Sequence, residues 1–362
     1  MSNPREALKS ARRVVVKVGS RLLATKSGLI PDLARQISEA SANTRREFLI
    51  VSSGAVSLGV QKLGYGERPR QMPRLQAAAA VGQGELMRRY AEAFAQYGKT
   101  VAQVLLTHSD LASRRRVTNA QQALGALFEA GAIPIVNEND TVSTAEIAFG
   151  DNDQLASMVA PLVQADLLLL LTDVSGVLDP NDQRISVMTS DSVMGERKAS
   201  NPHGTGGMAR KVEAAVKASH SGASVIIGAA GEPEAITRML AGEDLGTLFP
   251  PHNNSLKARK HWIAYTLRPR GDLLINAGAV NALRSGGSSL LPVGVLGVRG
   301  RFSPGDAVRV IGPDGDEVAR GLAKLGVLEV AHAAGQSNAE ISEGSGAADQ
   351  IVIHRDDLVL FS

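Results

Sequence analysis

Arg13-Val14-Val15-Val16-Lys17-Val18-Gly19-Ser20 is an apolar, β-branched run that carries a lysine near its end and then breaks at a glycine. β-Branched residues favour strands, and a run this apolar suits a strand covered on both faces, as in a parallel sheet flanked by helices. Moving outward, similar runs recur at Phe48 to Ser52, Thr100 to Leu106, Ala132 to Val136, Asp166 to Leu171 and Ser224 to Ile227. Between them the spacing predicts helices over Asp32 to Ala42, Ala55 to Leu63, Arg74 to Tyr97, Val117 to Ala130, Asp153 to Val163, Met208 to His220 and Glu234 to Ala241. Strands alternating with helices predict an α/β fold with an open, mainly parallel sheet up to about Pro250.

From about Gly271 the texture changes to short segments split by Gly and Pro, such as Val293 to Val298, Ala307 to Ile311 and Gln350 to Ile353. That pattern predicts a small β barrel or sandwich. The stretch Pro251 to Arg270 reads as the junction. A chain of 362 residues exceeds the size at which one core usually keeps growing, so two domains are expected. Its 44% hydrophobic and 21% charged residues suffice for ordinary cores, and with only 3% aromatics these must be aliphatic.

Apolar runs such as Leu167 to Leu171 are far short of a membrane span, and the polar stretch Met1 to Arg13 lacks a secretory core, so a cytoplasmic location is expected. The absence of cysteine excludes disulfides, thiolate metal sites and a cysteine nucleophile. The seven histidines are scattered without metal-ligand pairing and receive no catalytic role. From Gly271 onward there are 7 Lys and Arg against 11 Asp and Glu, a net of −4, which argues against RNA as a partner.

Gly98-Lys99-Thr100 looks like the end of a phosphate-binding P-loop, but Ala93 stands where that motif needs glycine. No dinucleotide fingerprint comes after the first strand either. The strand ends instead in Lys17-Val18-Gly19-Ser20, which places a lysine where α/β sheets bind ligands; an ordinary exposed lysine is the alternative. His203-Gly204-Thr205-Gly206-Gly207-Met208-Ala209-Arg210-Lys211 is a glycine-rich loop running into a helix, a donor-rich terminus suited to phosphates or else a plain linker. A lysine at that terminus opposes the helix dipole, which favours a functional reason for Lys211. Asn137-Glu138-Asn139-Asp140 and Gly150-Asp151-Asn152-Asp153 put amides and carboxylates at strand-end level, either as caps or as groups that hold an amino acid or orient the lysines. Ser52-Ser53-Gly54-Ala55 and Leu171-Thr172-Asp173-Val174-Ser175-Gly176-Val177 occupy two further strand ends, open to a substrate, a nucleotide or simple tight turns.

In that order, these motifs resemble the amino acid kinase family, and within it the branch that phosphorylates the side-chain carboxylate of free glutamate. Gly287-Ser288-Ser289-Leu290-Leu291-Pro292-Val293-Gly294-Val295 is similar to the start of a PUA domain. The resemblance implies a kinase domain over 1–256, a linker over 257–270 and a PUA domain over 271–362. The implied fold is a three-layer αβα sandwich with an open, mainly parallel sheet, plus a small β-barrel-like C-terminal domain. The resemblance further implies Lys17, Lys211 and Asp153 as catalytic residues, with Asp153 orienting the two lysines. Ser53, Asp140 and Asn152 would hold glutamate. Lys17, Thr172, Asp173 and the run Thr205, Gly206, Gly207, Met208, Ala209, Arg210 and Lys211 would contact ATP, with Mg2+ as cofactor and no dedicated metal residues. Proline as an inhibitor, a homo-oligomer (dimer or tetramer), a glutamyl-phosphate reductase as partner and a role in proline biosynthesis are implied in the same way. Two departures stand out: Arg210 replaces a threonine usual before the second lysine, and Arg21 follows Gly19-Ser20 where a small residue is common.

Overall fold

The structure is a computed structural model that describes residues 3–25, 28–42, 44–142, 152–189, 207–252, 256–336 and 350–361. The chain divides into two compact units, Met1–Ser255 and Leu256–Ser362. In chain order the first unit runs β1 (Arg13–Val18), α1 (Ser20–Thr25), α2 (Leu29–Ala42), β2 (Glu47–Ser52), α3 (Ala55–Lys62), α4 (Met72–Ala95), β3 (Val101–Leu106), α5 (His108–Ala112), α6 (Arg114–Glu129), β4 (Ile133–Glu138), α7 (Asn152–Leu162), β5 (Leu167–Thr172), α8 (Gly207–Ser219), β6 (Ser224–Ala229), α9 (Ala235–Leu240) and β7 (Thr247–Phe249). The strands form one seven-stranded sheet in the order β3-β4-β2-β1-β5-β6-β7, parallel except for the antiparallel pair β6–β7.

Helices cover both faces. Val14, Val16 and Val18 of β1 join a core with α2, α4 and α9, while Val15 joins a second core with α6, α7 and α8. Successive strand side chains point to opposite faces, so Lys17 shares the face of Val15, toward α7 and α8. The same alternation divides Leu167, Leu169 and Leu171 from Leu168 and Leu170 of β5. β1 lies between β2 and β5, with Lys17 level with Val51 and Leu170. The chain completes the β2–β4 half of the sheet before it enters the β5–β7 half. That reversal at β1 opens a crevice at the carboxyl ends of the strands, the usual ligand position in open α/β sheets.

The elements predicted before Pro250 are all present, with ends shifted by a few residues. Three short ones were not legible. β7 has three residues and no period to read, α1 begins directly after Gly19, and α5 is nucleated by a capping box in which Thr107 and Asp110 exchange hydrogen bonds. The packing of α3 on α4 is unusually close: a Cβ added at Gly59 would lie 1.7 Å from the Ala78 carbonyl oxygen, and one at Gly82 would lie 1.7 Å from that of Ala55. Only glycine lets these two backbones meet.

The second unit contains α10 (Ala258–His261), a π-helical turn over Trp262–Thr266, β8 (Gly271–Ile275), α11 (Ala277–Arg284), β9 (Val295–Gly300), β10 (Ala307–Ile311), β11 (Glu317–Leu322), α12 (Val327–Ala333) and β12 (Leu358–Leu360). Its sheet has the order β12-β11-β10-β8-β9 and is antiparallel apart from β8–β10. Residues of α11 and α12 pack into its core with Leu273, Val308 and Val310. Two local expectations change. The strand expected from Val293 begins at Val295, because Pro292–Gly294 forms a 3-10 turn, and Gln350 to Ile353 makes only a bridge from Ile353 to Leu290. No helix among the described residues is long and apolar enough to cross a membrane.

Gly59→Ala and Gly82→Ala should each lower the unfolding free energy by about 2 kcal/mol or more, since the added methyl group meets backbone that cannot move aside cheaply. Chemical denaturation monitored by far-UV circular dichroism checks this, and unchanged midpoints would refute the close packing.

Candidate active site

The carboxyl ends of β1, β2, β4 and β5 and the start of α7 converge on one place. Lys17 is carried there by the central strand and is almost wholly buried. Its ammonium group lies 2.6 Å from Oδ1 of Asp153, while Lys211 of α8 lies 2.6 Å from Oδ2 of the same carboxylate. One carboxylate in the first turn of α7 therefore ties together two cations from separate elements. Burial acts to raise the Asp153 carboxyl, but the two lysine charges and their hydrogen bonds outweigh it and hold the group below its ordinary value. A Cβ added at Gly19 would stand 3.7 Å from Lys17 Nζ, so the glycine leaves the backbone beside the ammonium uncovered.

Asn152, the neighbour of Asp153, is buried as well. Its Nδ2 lies 3.0 Å from the Ser52 carbonyl oxygen, 2.8 Å from Ser53 Oγ and 2.9 Å from Asn137 Oδ1, its two N–H groups shared among the three acceptors. Asn137 Nδ2 in turn donates to Gln83 Oε1 at 2.9 Å, and Gln83 Nε2 donates to Gln103 Oε1 at 2.9 Å. Below Ser53, the Ser52 hydroxyl and the fully buried Tyr90 hydroxyl are 3.0 Å apart. Burial raises the Tyr90 phenol well above its usual range, so it stays protonated.

Asp140 lies just beyond β4. Burial pushes its carboxyl up to about 6, with Arg68 acting in the opposite direction. At the end of β5 the Thr172 hydroxyl donates to Asp173 Oδ1 at 3.1 Å, and Arg21 reaches Asp173 Oδ2 at 3.4 Å. Asp173 is lowered chiefly by its own backbone N–H.

The sequence-derived residues thus gather unevenly. Lys17, Lys211 and Asp153 are in direct contact, and Asn152 joins Ser53. Thr172 ends β5, one strand away beside β1, and Asp173 follows it. Gly207, Met208, Ala209 and Arg210 form the start of α8, with Ala209 and Arg210 exposed, whereas Thr205 and Gly206 lie outside the described residues. Sequence reading missed Gln83, Tyr90 and Gln103, which come from α4 and β3 and belong to no local motif. Among the described residues no group of three His, Asp or Glu is arranged to hold a metal ion, and both oxygens of Asp153 face lysines.

Comparison with known proteins bears on the family and the fold. Residues 12–229 match the amino acid kinase family and residues 271–344 the PUA domain. The chain is 46% identical to the glutamate 5-kinase of Trichlorobacter lovleyi, with 99% of both chains covered. It is 44% identical to that of Myxococcus xanthus, again over 99% of each chain. Among solved structures, carbamate kinase from Giardia lamblia bound to AMP-PNP superposes with a TM-score of 0.51 at 17% identity, covering 67% of this chain and 100% of that one. N-acetylglutamate synthase from Neisseria gonorrhoeae gives a TM-score of 0.52 at 17% identity, over 69% of this chain and 62% of that one. At such identities these two likenesses speak for the fold alone.

Asp153→Asn removes the carboxylate shared by one buried and one partly buried cation and should destabilise the protein by about 3 kcal/mol at neutral pH. Because the folded Asp153 lies below its ordinary 3.8, its contribution is present above that value and lost as the pH falls through the folded one. The gap between variant and wild type in urea unfolding should therefore narrow under acid conditions; a constant gap would assign the loss to packing instead.

Proposed function

The chain belongs to the amino acid kinase family and, by its full-length likeness, to the glutamate 5-kinases within it; on that premise we propose that it transfers the γ-phosphoryl group of ATP to the side-chain carboxylate of L-glutamate. The observation that carries this reading is the pair of lysines joined through Asp153 at the carboxyl ends of a parallel sheet. A glutamate carboxylate is ionised at neutral pH, so the nucleophile needs no general base. Its oxygen forms a bond to the γ-phosphorus while the bond from that phosphorus to the β,γ-bridging oxygen breaks. The bonding pair leaves with ADP, and the product is L-glutamyl 5-phosphate. Catalysis then consists of in-line positioning and stabilisation of charge on the transferring group. Lys17 and Lys211 supply that stabilisation, and Asp153 keeps them aimed before substrate arrives.

Ser53, Asn152 and Asp140 hold glutamate in this scheme, with ionised Asp140 facing its ammonium group. Thr172, Asp173 and the run from Thr205 to Lys211 hold the nucleotide, Arg210 offering a charged contact. Mg2+ would be borne by the ATP phosphates, since the described residues provide no cage for it. The product is a reactive acyl phosphate, which suits delivery to a glutamyl-phosphate reductase as the first step of proline biosynthesis. Feedback inhibition by proline at the glutamate subsite and a homo-oligomer, dimer or tetramer, complete the proposal.

The deciding assay is Mg2+-dependent ADP release with glutamate, N-acetylglutamate, aspartate, carbamate or UMP supplied separately, with hydroxylamine to trap an acyl phosphate. Release with glutamate alone, accompanied by hydroxamate, is expected; release only with another acceptor overturns the substrate assignment. Lys211→Ala should lower kcat by about a hundredfold or more while the protein still folds, Asp153 keeping Lys17 as its partner. The value of kcat/KM for glutamate should fall as the pH drops through about 6, where Asp140 takes up a proton and loses its attraction for an ammonium group. A pH-independent kcat/KM between 5 and 8 would remove Asp140 from that role.

A further inference from the structure

The amide chain from Gln103 to Asn152 has a direction, and that direction has a cause. Primary amides can face each other either way round, but the Ser52 backbone carbonyl can only accept a hydrogen bond. Asn152 must therefore turn its NH2 toward Ser52, 3.0 Å away. Its NH2 also meets Asn137 Oδ1, so Asn137 presents its own NH2 to Gln83 Oε1, and Gln83 presents its NH2 to Gln103 Oε1. Each amide donates toward β3. At the far end, Ser53 Oγ accepts from Asn152, which leaves the Ser53 hydroxyl proton to be donated elsewhere. The same order leaves Asn152 Oδ1 as an acceptor.

We propose that Gln83, on α4, is a positioning residue of the glutamate subsite: by accepting from Asn137 it holds Asn137 Oδ1 against Asn152, and so keeps Asn152, whose sense the Ser52 carbonyl sets, in place beside Ser53. This rests on the glutamate-kinase reading. Gln83 itself is buried and contacts Asn137 and Gln103, not the lysine pair. A donor at Ser53 suits a carboxylate, and an acceptor at Asn152 suits an ammonium group, the two charged groups at the α-carbon of an amino acid. Without an acceptor at position 83, the Asn137 NH2 loses its partner and Asn137 Oδ1 is no longer held toward Asn152. Asn152 then keeps its sense through Ser52 but not its position beside Ser53. The nucleotide side, on β5 and α8, shares no member of the chain.

The test compares Gln83→Met, which removes the acceptor, with Gln83→Glu, which keeps it and which Gln103 can meet by turning its own amide. Gln83→Met should raise the KM for glutamate about tenfold or more, while the KM for ATP stays within about twofold. Gln83→Glu should restore the glutamate KM to near the wild-type value. Equal rises in both KM values, or no rescue by Gln83→Glu, would assign Gln83 to packing and overturn the proposal. Should Gln83→Met fail to fold, Gln83→Ala, favourable within a helix, provides the same comparison. If wild type uses a different acceptor, the glutamate reading fails by itself; the chain is then judged on whether the KM for that acceptor moves apart from the KM for ATP.

Discussion

Two ammonium groups from β1 and α8 meet on the single carboxylate of Asp153, and much of the first unit's architecture serves that meeting. Lys17 sits on the central strand of the sheet, so its height above the crevice is set by pairing with β2 on one side and β5 on the other. Asp153 sits at the start of α7, where a negative charge also complements the helix dipole. Burying a charge is costly unless it is paired, and the three groups satisfy one another in a way that any two would not. The arrangement is thereby set before any nucleotide arrives, as the proposed phosphoryl transfer would require of a site that contributes charge and position rather than proton transfer.

A second constraint acts from below. α3 and α4 approach through Gly59 and Gly82 until their backbones touch, and this seats α4 close under the strand ends. From there Tyr90 reaches Ser52 and Gln83 reaches Asn137. Candidate-site residues at the ends of β2 and β4 and the start of α7 thus lean on a helix that carries none of the recognisable motifs. The geometry of Ser53 and Asn152 depends on packing several residues removed from either.

The alternation of apolar strands with helical stretches was sufficient to place the sheet and its helices before Pro250, because period and turn residues are local properties. It failed where the signal is short or tertiary. β7 has three residues and is held by β6 on one side and a bridge from Leu248 to Val187 on the other, and α11 and α12 sit inside a region whose Gly-rich texture suggested strands alone. At the site, Lys17, Lys211, Asp153, Ser53 and Asn152 were legible because each lies in a strand-end or helix-start motif. Gln83 and Gln103 were not, since an isolated glutamine in a helix or strand reads as an ordinary polar residue.

By itself the sequence determined the fold class, the strand ends that carry chemistry and the cations and carboxylates available there, all of which depend on local periodicity and residue type. Only the tertiary structure decided which of those groups meet. Asp153 could have capped its own helix, yet the sheet order brings β1 and α8 within 2.6 Å of its two oxygens. The direction of the amide chain was likewise beyond reach of the sequence. It is imposed by one backbone carbonyl on β2 and passed across α7, β4 and α4 to β3, and hydrogen-bond sense is a property of groups in contact rather than of residues in order.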